Sequence, residues 1–138
     1  MITYREHITV EEYSRLREAV GWHKLDEKQA ERSLQHSFYL IAAYEENRAI
    51  ASARVISDSG YMALIADVMV APDYQRKGIG TEMLERIMKH LESSISEEEI
   101  LMINLMSVPG REKFYSKFGF VERPNETMGA GMVKWLHV

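Results

Sequence analysis

The chain contains no cysteine, so disulfides, thiolate metal sites and a covalent acyl-cysteine intermediate are all excluded. An acyl group handled by such a chain would pass by direct attack within a ternary complex. Proline is scarce, at three residues, and there is no repeat, low-complexity tract or linker. No window reaches the ~18 consecutive apolar residues of a membrane-spanning helix. The start, Met1-Ile2-Thr3-Tyr4-Arg5-Glu6, lacks the apolar core of a signal peptide. The expectation is therefore no membrane partner and a cytoplasmic location. Excess positive charge is also missing. Lys and Arg number 17 against 21 Asp and Glu, a formal charge of −4, which argues against general binding to nucleic acid. The five histidines (His7, His23, His36, His90 and His137) form no i, i+4 zinc pair, and no metal is expected.

What is present is an ordinary globular composition. In 138 residues, 46% are hydrophobic and 28% charged, enough for one domain, residues 1–138, with a real core. Residues 2–5 can start a strand. Thr9-Val10-Glu11-Glu12 is a capping box that launches a helix through Tyr13, Leu16 and Val20, ending near Gly21. Asp26 can cap a second helix from Glu27 to about Leu34. Residues 38–44 and 49–56 read as a hairpin about a Glu46-Asn47 turn. Asp58-Ser59-Gly60 then turns into an apolar strand over residues 61–71. After Gly78, the residues Ile79, Met83, Leu84, Ile87, Leu91 and Ile95 share one face of a helix. A strand over 100–106 follows, then a helix from Pro109 to Lys117 closed by Gly119. Residues 120–121 and 132–137 are expected to complete the sheet. The pattern predicts an α+β fold with a mixed, mostly antiparallel central sheet flanked by helices on both faces.

The stretch richest in chemistry runs from Val68 to Thr81. A strand breaks at Pro72, passes through Gln75-Arg76-Lys77-Gly78-Ile79-Gly80, and opens into the amphipathic helix. A helix start carries unpaired N–H groups and roughly half a positive charge. Arg76 and Lys77 add full charges, and glycines at 78 and 80 allow a guest to approach the backbone closely. The expected guest is a diphosphate held without metal. A G-x-G turn alone is weak evidence, because many helices begin after a glycine turn with no ligand.

Gln75-Arg76-Lys77-Gly78-Ile79-Gly80 resembles motif A of the GNAT acyltransferase superfamily, Gln/Arg-x-x-Gly-x-Gly/Ala. Downstream, Phe114-Tyr115-Ser116-Lys117-Phe118-Gly119-Phe120 is similar to that family's Phe-Tyr-x-Lys-x-Gly-Phe element. The resemblance covers roughly residues 38–121 and implies the acyl-CoA N-acyltransferase fold. It also implies acetyl-coenzyme A as cosubstrate. The amides from Gln75 through Arg76, Lys77, Gly78, Ile79 and Gly80 to Thr81 would take the pyrophosphate. The main chain around Val68, Met69 and Val70 would pair with the pantetheine arm like an added strand. Tyr115 matches the tyrosine that protonates or hydrogen-bonds the departing thiolate; its alternative is an aromatic core residue beside Phe114 and Phe118. Two departures stand out. Val108 and Arg111 occupy positions where many members carry asparagine and alanine.

An amine with a pKa of ~10.4 is only about one part in a few thousand neutral at pH 7, a cost of about 4–5 kcal/mol without assistance. Asp67, in the apolar run Ile65-Ala66-Asp67-Val68, is the candidate for that assistance. It would act as a base, through water, or by attracting the cation; a structural hydrogen-bond acceptor is the alternative. Asn104 interrupts a strand in the same way and would hold a water or satisfy structure. In the superfamily the acceptor pocket is shaped by the first two helices, their loop and the last strands, which points to residues 20–24, with Trp22 and His23, and to residues 125–132; Trp22 against the sheet is the plain alternative. The resemblance thus implies an N-acetyltransferase acting on a primary amine of a small molecule. A protein lysine is the rival acceptor, and a non-catalytic acyl-coenzyme A sensor or a nucleotide-diphosphate binder the rival class. Sheet edges that need cover give the expectation of a homodimer.

Overall fold

The computed structural model describes residues 1–138. The chain divides into two compact units, Met1–Asn104 and Leu105–Val138. In the first, the elements run β1 (Ile2–Arg5), α1 (Val10–Ala19), α2 (Glu27–Gln35), β2 (Tyr39–Glu45), β3 (Arg48–Ser57), β4 (Met62–Val70), a 3-10 turn (Pro72–Tyr74), α3 (Ile79–Ser93) and β5 (Met102–Leu105). The five strands form one sheet in the order β1-β2-β3-β4-β5. The first three pairings are antiparallel.

Local chemistry accounts for where the helices begin. The Thr9 hydroxyl accepts from the Glu12 amide at 3.1 Å, and the Glu12 carboxylate accepts from the Thr9 amide at 3.0 Å. This reciprocal pairing satisfies two donors that the first turn of α1 would otherwise leave bare. Burial alone would raise the Glu12 carboxyl, but the Thr9 amide and the hydroxyl of Tyr44, donating at 2.8 Å, outweigh it and hold the carboxyl below its ordinary value. Asp26 caps α2 through the Gln29 amide at 3.1 Å. Gly21, with φ +78, follows the end of α1, a conformation that suits glycine.

The sheet is covered on both faces. Side chains alternate along a strand, and Leu40, Ala42 and Tyr44 of β2 pack with Tyr13 and Leu16 of α1 and Ala30 of α2. On the opposite face, Tyr39 stacks on His90 of α3 with ring centroids 4.2 Å apart. Ile79, Met83, Leu84, Ile87 and Leu91 are all buried, as their spacing predicts, whereas Ile95, expected on the same face, lies past the helix end at Ser93 and is half-buried. Each of these buried side chains contributes about 1.5–3 kcal/mol on burial, which fixes α3 against the sheet.

The second unit holds one short helix, α4 (Glu112–Ser116). It starts three residues after the expected Pro109, because Gly110 takes φ +90 and breaks the helical path. Phe114 makes edge contacts with Tyr115 and Phe118, with centroids 5.0 and 5.6 Å apart, and Tyr115 meets Phe120 at 6.3 Å. The expected strands at 120–121 and 132–137 do not form; no residue after Leu105 is in a strand. Residues 122–129 are instead occupied by a compact turn. Asn125 accepts from the Thr127 and Met128 amides, each at 2.9 Å, and Arg123 donates to the Gly129 carbonyl at 2.6 Å. Beyond it, Met132 and Leu136 are 89% and 73% exposed. An apolar alternation is read as a strand only where neighbouring backbone is there to pair with it.

Candidate active site

The junction between β4 and α3 is built from backbone. After Val70 the chain tightens into the 3-10 turn, in which the Tyr74 amide donates to the Ala71 carbonyl at 2.8 Å. Arg76 takes φ +63 and Gly78 φ +83, the latter as the residue that caps α3. Helix bonding begins with the Glu82 amide on the Gly78 carbonyl, at 3.1 Å. The amides of residues 78–81 therefore have no acceptor within the helix. A Cβ built at Gly78 would meet nothing within 4 Å. Glycine is demanded there by the left-handed backbone, and the space beside it is open. Arg76 and Lys77 are exposed, with the Lys77 ammonium 5.4 Å from the Tyr74 ring. Donors, dipole and two cations together fit the diphosphate of a coenzyme.

Two further bonds bound this junction. The Gln75 side-chain amide donates to the Val70 carbonyl at 3.0 Å, so this expected ligand residue is engaged with the end of β4. The Tyr74 hydroxyl donates to Glu45 at 2.6 Å, a bond that pushes the phenol above its ordinary value. Of the strand residues expected to meet the pantetheine arm, Met69 has its side chain fully buried, while Val68 and Val70 are half-buried.

Just before them, the β3–β4 pairing slips. Ser52 faces Met69 but Arg54 faces Ala66, so a bulge forms with Asp67 at φ +54. The Asp67 carboxylate gathers three donors. Its Oδ2 accepts from the Tyr13 hydroxyl at 2.6 Å and from Arg54 Nε at 2.7 Å, and its Oδ1 lies 3.5 Å from Arg17 Nη1. Burial, followed by the bond to Asp67, raises the Tyr13 phenol above its ordinary value. The sequence singled out Asp67 but not these partners. A signal was there: Arg54 interrupts an apolar strand, and Arg17 stands one helical turn from Tyr13 on the apolar side of α1.

Of the acceptor-side candidates, Trp22 packs against the α1–α2 side of the core, and the His23 carbonyl accepts from Arg17 Nε at 3.0 Å. Trp22 through its ring and His23 through its carbonyl thus contact Arg17, which pairs with Asp67. Asn104 lies half-buried in β5, which neighbours β4. Tyr115, in the second unit, is 9% exposed. Burial raises its phenol above the ordinary tyrosine value, opposed by Arg111, whose guanidinium lies 5.1 Å from the Phe114 ring. No group of three or more His, Cys, Asp or Glu side chains is placed to hold a metal ion, and no helix is long and apolar enough to cross a membrane.

Residues 8–135 match the acetyltransferase (GNAT) domain family. The chain is 33% identical over 128 residues to the uncharacterized N-acetyltransferase ycf52 of Porphyra purpurea, covering 90% of this chain and 71% of that protein. It is 31% identical over 131 residues to GCN5-related N-acetyltransferase 1, chloroplastic, of Arabidopsis thaliana, covering 94% of this chain and 64% of that one. Among solved structures, a Staphylococcus aureus protein described as a probable acetyltransferase superposes with a TM-score of 0.85 at 29% identity, covering 98% of this chain and all of that one, 100%.

Proposed function

The chain belongs to the GNAT family and is an acetyltransferase; from that premise we propose that it moves acetyl from acetyl-coenzyme A to a primary amine of a small molecule, by direct attack in a ternary complex. The observation that carries this reading is the β4–α3 junction, where a left-handed Gly78 opens onto free space beside unpaired amides and two cations. Residues 76–81 hold the diphosphate, and the main chain at Val68 and Val70 receives the pantetheine arm. Bound acetyl-coenzyme A supplies an acetyl thioester. The chain's residues hold and orient it as one N-acetyltransferase domain over residues 1–138, a reading supported by a family match that spans both units.

Tyr115 serves the departing thiolate by hydrogen bonding. A phenol at ~10 is already a weaker acid than a thiol at ~8.5, and burial raises Tyr115 further. Full proton donation is therefore uphill, whereas a hydrogen bond strengthens as charge develops on sulfur. Asp67 contributes as a positioning residue. With both oxygens engaged by Tyr13, Arg54 and Arg17, its carboxylate is better suited to hold the bulge than to act as base. The amine attacks in its neutral form, the C–N bond forms as the C–S bond breaks, and the N–H proton ends on the departing sulfur as free thiol.

Release of free coenzyme thiol against a panel of small amines and a lysine peptide tests the reading. Turnover with a small amine supports it, and turnover with the peptide alone transfers the assignment to a protein lysine. Binding of acetyl-coenzyme A with no turnover anywhere leaves a sensor. A cytoplasmic setting and a homodimer complete the proposal, to be checked by cell fractionation and sedimentation.

A further inference from the structure

Arg17 is one of only two polar or charged residues in the buried set, at 9% exposure. Long cations are rarely placed there unless paired, and the contacts of Arg17 point two ways. Toward the loop that joins α1 to α2, its Nε donates to the His23 carbonyl at 3.0 Å. Its own carbonyl accepts from the Trp22 amide at 2.9 Å. The guanidinium also lies 5.5 Å from the Trp22 ring and 5.7 Å from the Tyr13 ring. Toward the sheet, Nη1 faces Asp67 Oδ1 at 3.5 Å. One planar fork thus touches both the loop and the bulged strand.

The other end of this contact is a strained position. Asp67 holds φ +54, a region that costs a non-glycine residue energy unless its surroundings fix it. The fixing is done by the side chain, which accepts from Tyr13, Arg54 and Arg17. Arg54 extends the group by donating to the Ser33 carbonyl at 3.2 Å and the Ser37 hydroxyl at 3.4 Å, at the end of α2. The charge count is uneven, with two guanidiniums facing one carboxylate. The ion pair of each guanidinium is made with Asp67, and these two cations together with the Tyr13 hydroxyl hold the Asp67 side chain. The loop beside Trp22 and the strand Val68–Met69–Val70 are therefore set by the same carboxylate.

We propose that Arg17 is a positioning residue that, through Asp67, couples the α1–α2 loop to the β4 bulge, so that the acceptor side and the coenzyme side of the site are held in register. The functional meaning of the two sides rests on the reading above; the mechanical coupling does not. Because coupling free energies are reciprocal, ordering β4 must also order the loop.

The test is amide hydrogen exchange on the unliganded wild type and on Arg17→Lys. Lysine keeps the charge and loses the fork. Exchange should quicken about tenfold or more, as for a lost charge-assisted bond, at Gly21 and Trp22 and, in the same sample, at residues 66–70. Loosening of the loop alone, or of neither place, overturns the proposal. Tyr13→Phe removes one donor from Asp67 and alters no charge. It must show the same paired loosening to a smaller degree, which keeps the test decisive if Arg17→Lys fails to fold. In a Trp135→Phe background, Trp22 emission should shift to the red in Arg17→Lys, and an unchanged spectrum counts against the coupling. Adding acetyl-coenzyme A should slow exchange at both places in the wild type but only at β4 in Arg17→Lys; equal slowing of the loop in the two proteins overturns the coupling. A coenzyme that slows nothing in either protein refutes the coenzyme reading, while the unliganded comparison still decides the tether.

Discussion

At the scale of single residues, the tyrosines carry the clearest expectations. Tyr115→Phe removes a donor and leaves the aromatic cluster in place. Its kcat should fall on the order of 100-fold, with acetyl-coenzyme A affinity, measured by calorimetry, unchanged. A variant with full kcat would return Tyr115 to a packing role beside Phe114 and Phe120. Tyr39 and Tyr44 are both pushed up to about 12, by burial and then by Glu6 and Glu12 respectively. A folded-state value above the unfolded one means the native protein holds these protons more tightly. Their stabilisation is complete below about pH 10 and is lost as pH rises toward 12. Urea unfolding at pH 8, 10 and 11.5 should show stability falling only in the upper interval. Glu12 works in the opposite sense: its lowered carboxyl stabilises above its unfolded value and loses that contribution as pH falls through the folded one.

At the scale of elements, caps and turns are the local devices that can be checked one by one. Thr9→Ala removes the α1 cap and should cost about 1 kcal/mol of unfolding free energy. Gly78 poses a sharper question, since its φ of +83 penalises any Cβ while the surrounding space is free. Gly78→Ala should lose about 1–2 kcal/mol. Gly78→Asn should lose less, because asparagine tolerates the left-handed region, yet its side chain enters the space assigned to the diphosphate. Retained fold with weakened acetyl-coenzyme A binding in Gly78→Asn is the expected pair of results; unchanged binding would remove the diphosphate from this loop.

These same devices explain how much of the fold the sequence displays. The Thr9–Glu12 box, the Asp26 cap and the buried stripe of α3 are set by residues within one or two turns of each other, so sequence spacing displays them directly. The turn from β4 into α3, with Gly78 as its left-handed residue, was legible for the same reason. The Asp67 group was only half legible. Its partners Tyr13, Arg17 and Arg54 lie 54, 50 and 13 residues away, and only the chain's course over the sheet brings them together. The strands expected at 120–121 and 132–137 erred by the same rule, because pairing depends on a distant edge that no local pattern reveals.

At the scale of the whole molecule, ligand binding should register as stability. A ligand at about 100 times its Kd adds about 2.7 kcal/mol, enough to raise the Tm by several degrees. Acetyl-coenzyme A should do so, and ADP and NAD should do so less or not at all. Equal shifts for all three would identify a general diphosphate binder.

The two ends of α3 serve as probe and readout. Fifteen residues of helix make a rod of about 22 Å, pinned to the sheet along its length by side chains that are almost wholly buried. One tip begins at the Gly78 turn, and near the other the His90 ring lies flat on Tyr39, its plane tilted by 22°. A guest that rocks the rod must disturb that stack, so the ring-current shift of the His90 protons offers a spectroscopic pointer to events at the far tip, where no aromatic reporter is needed.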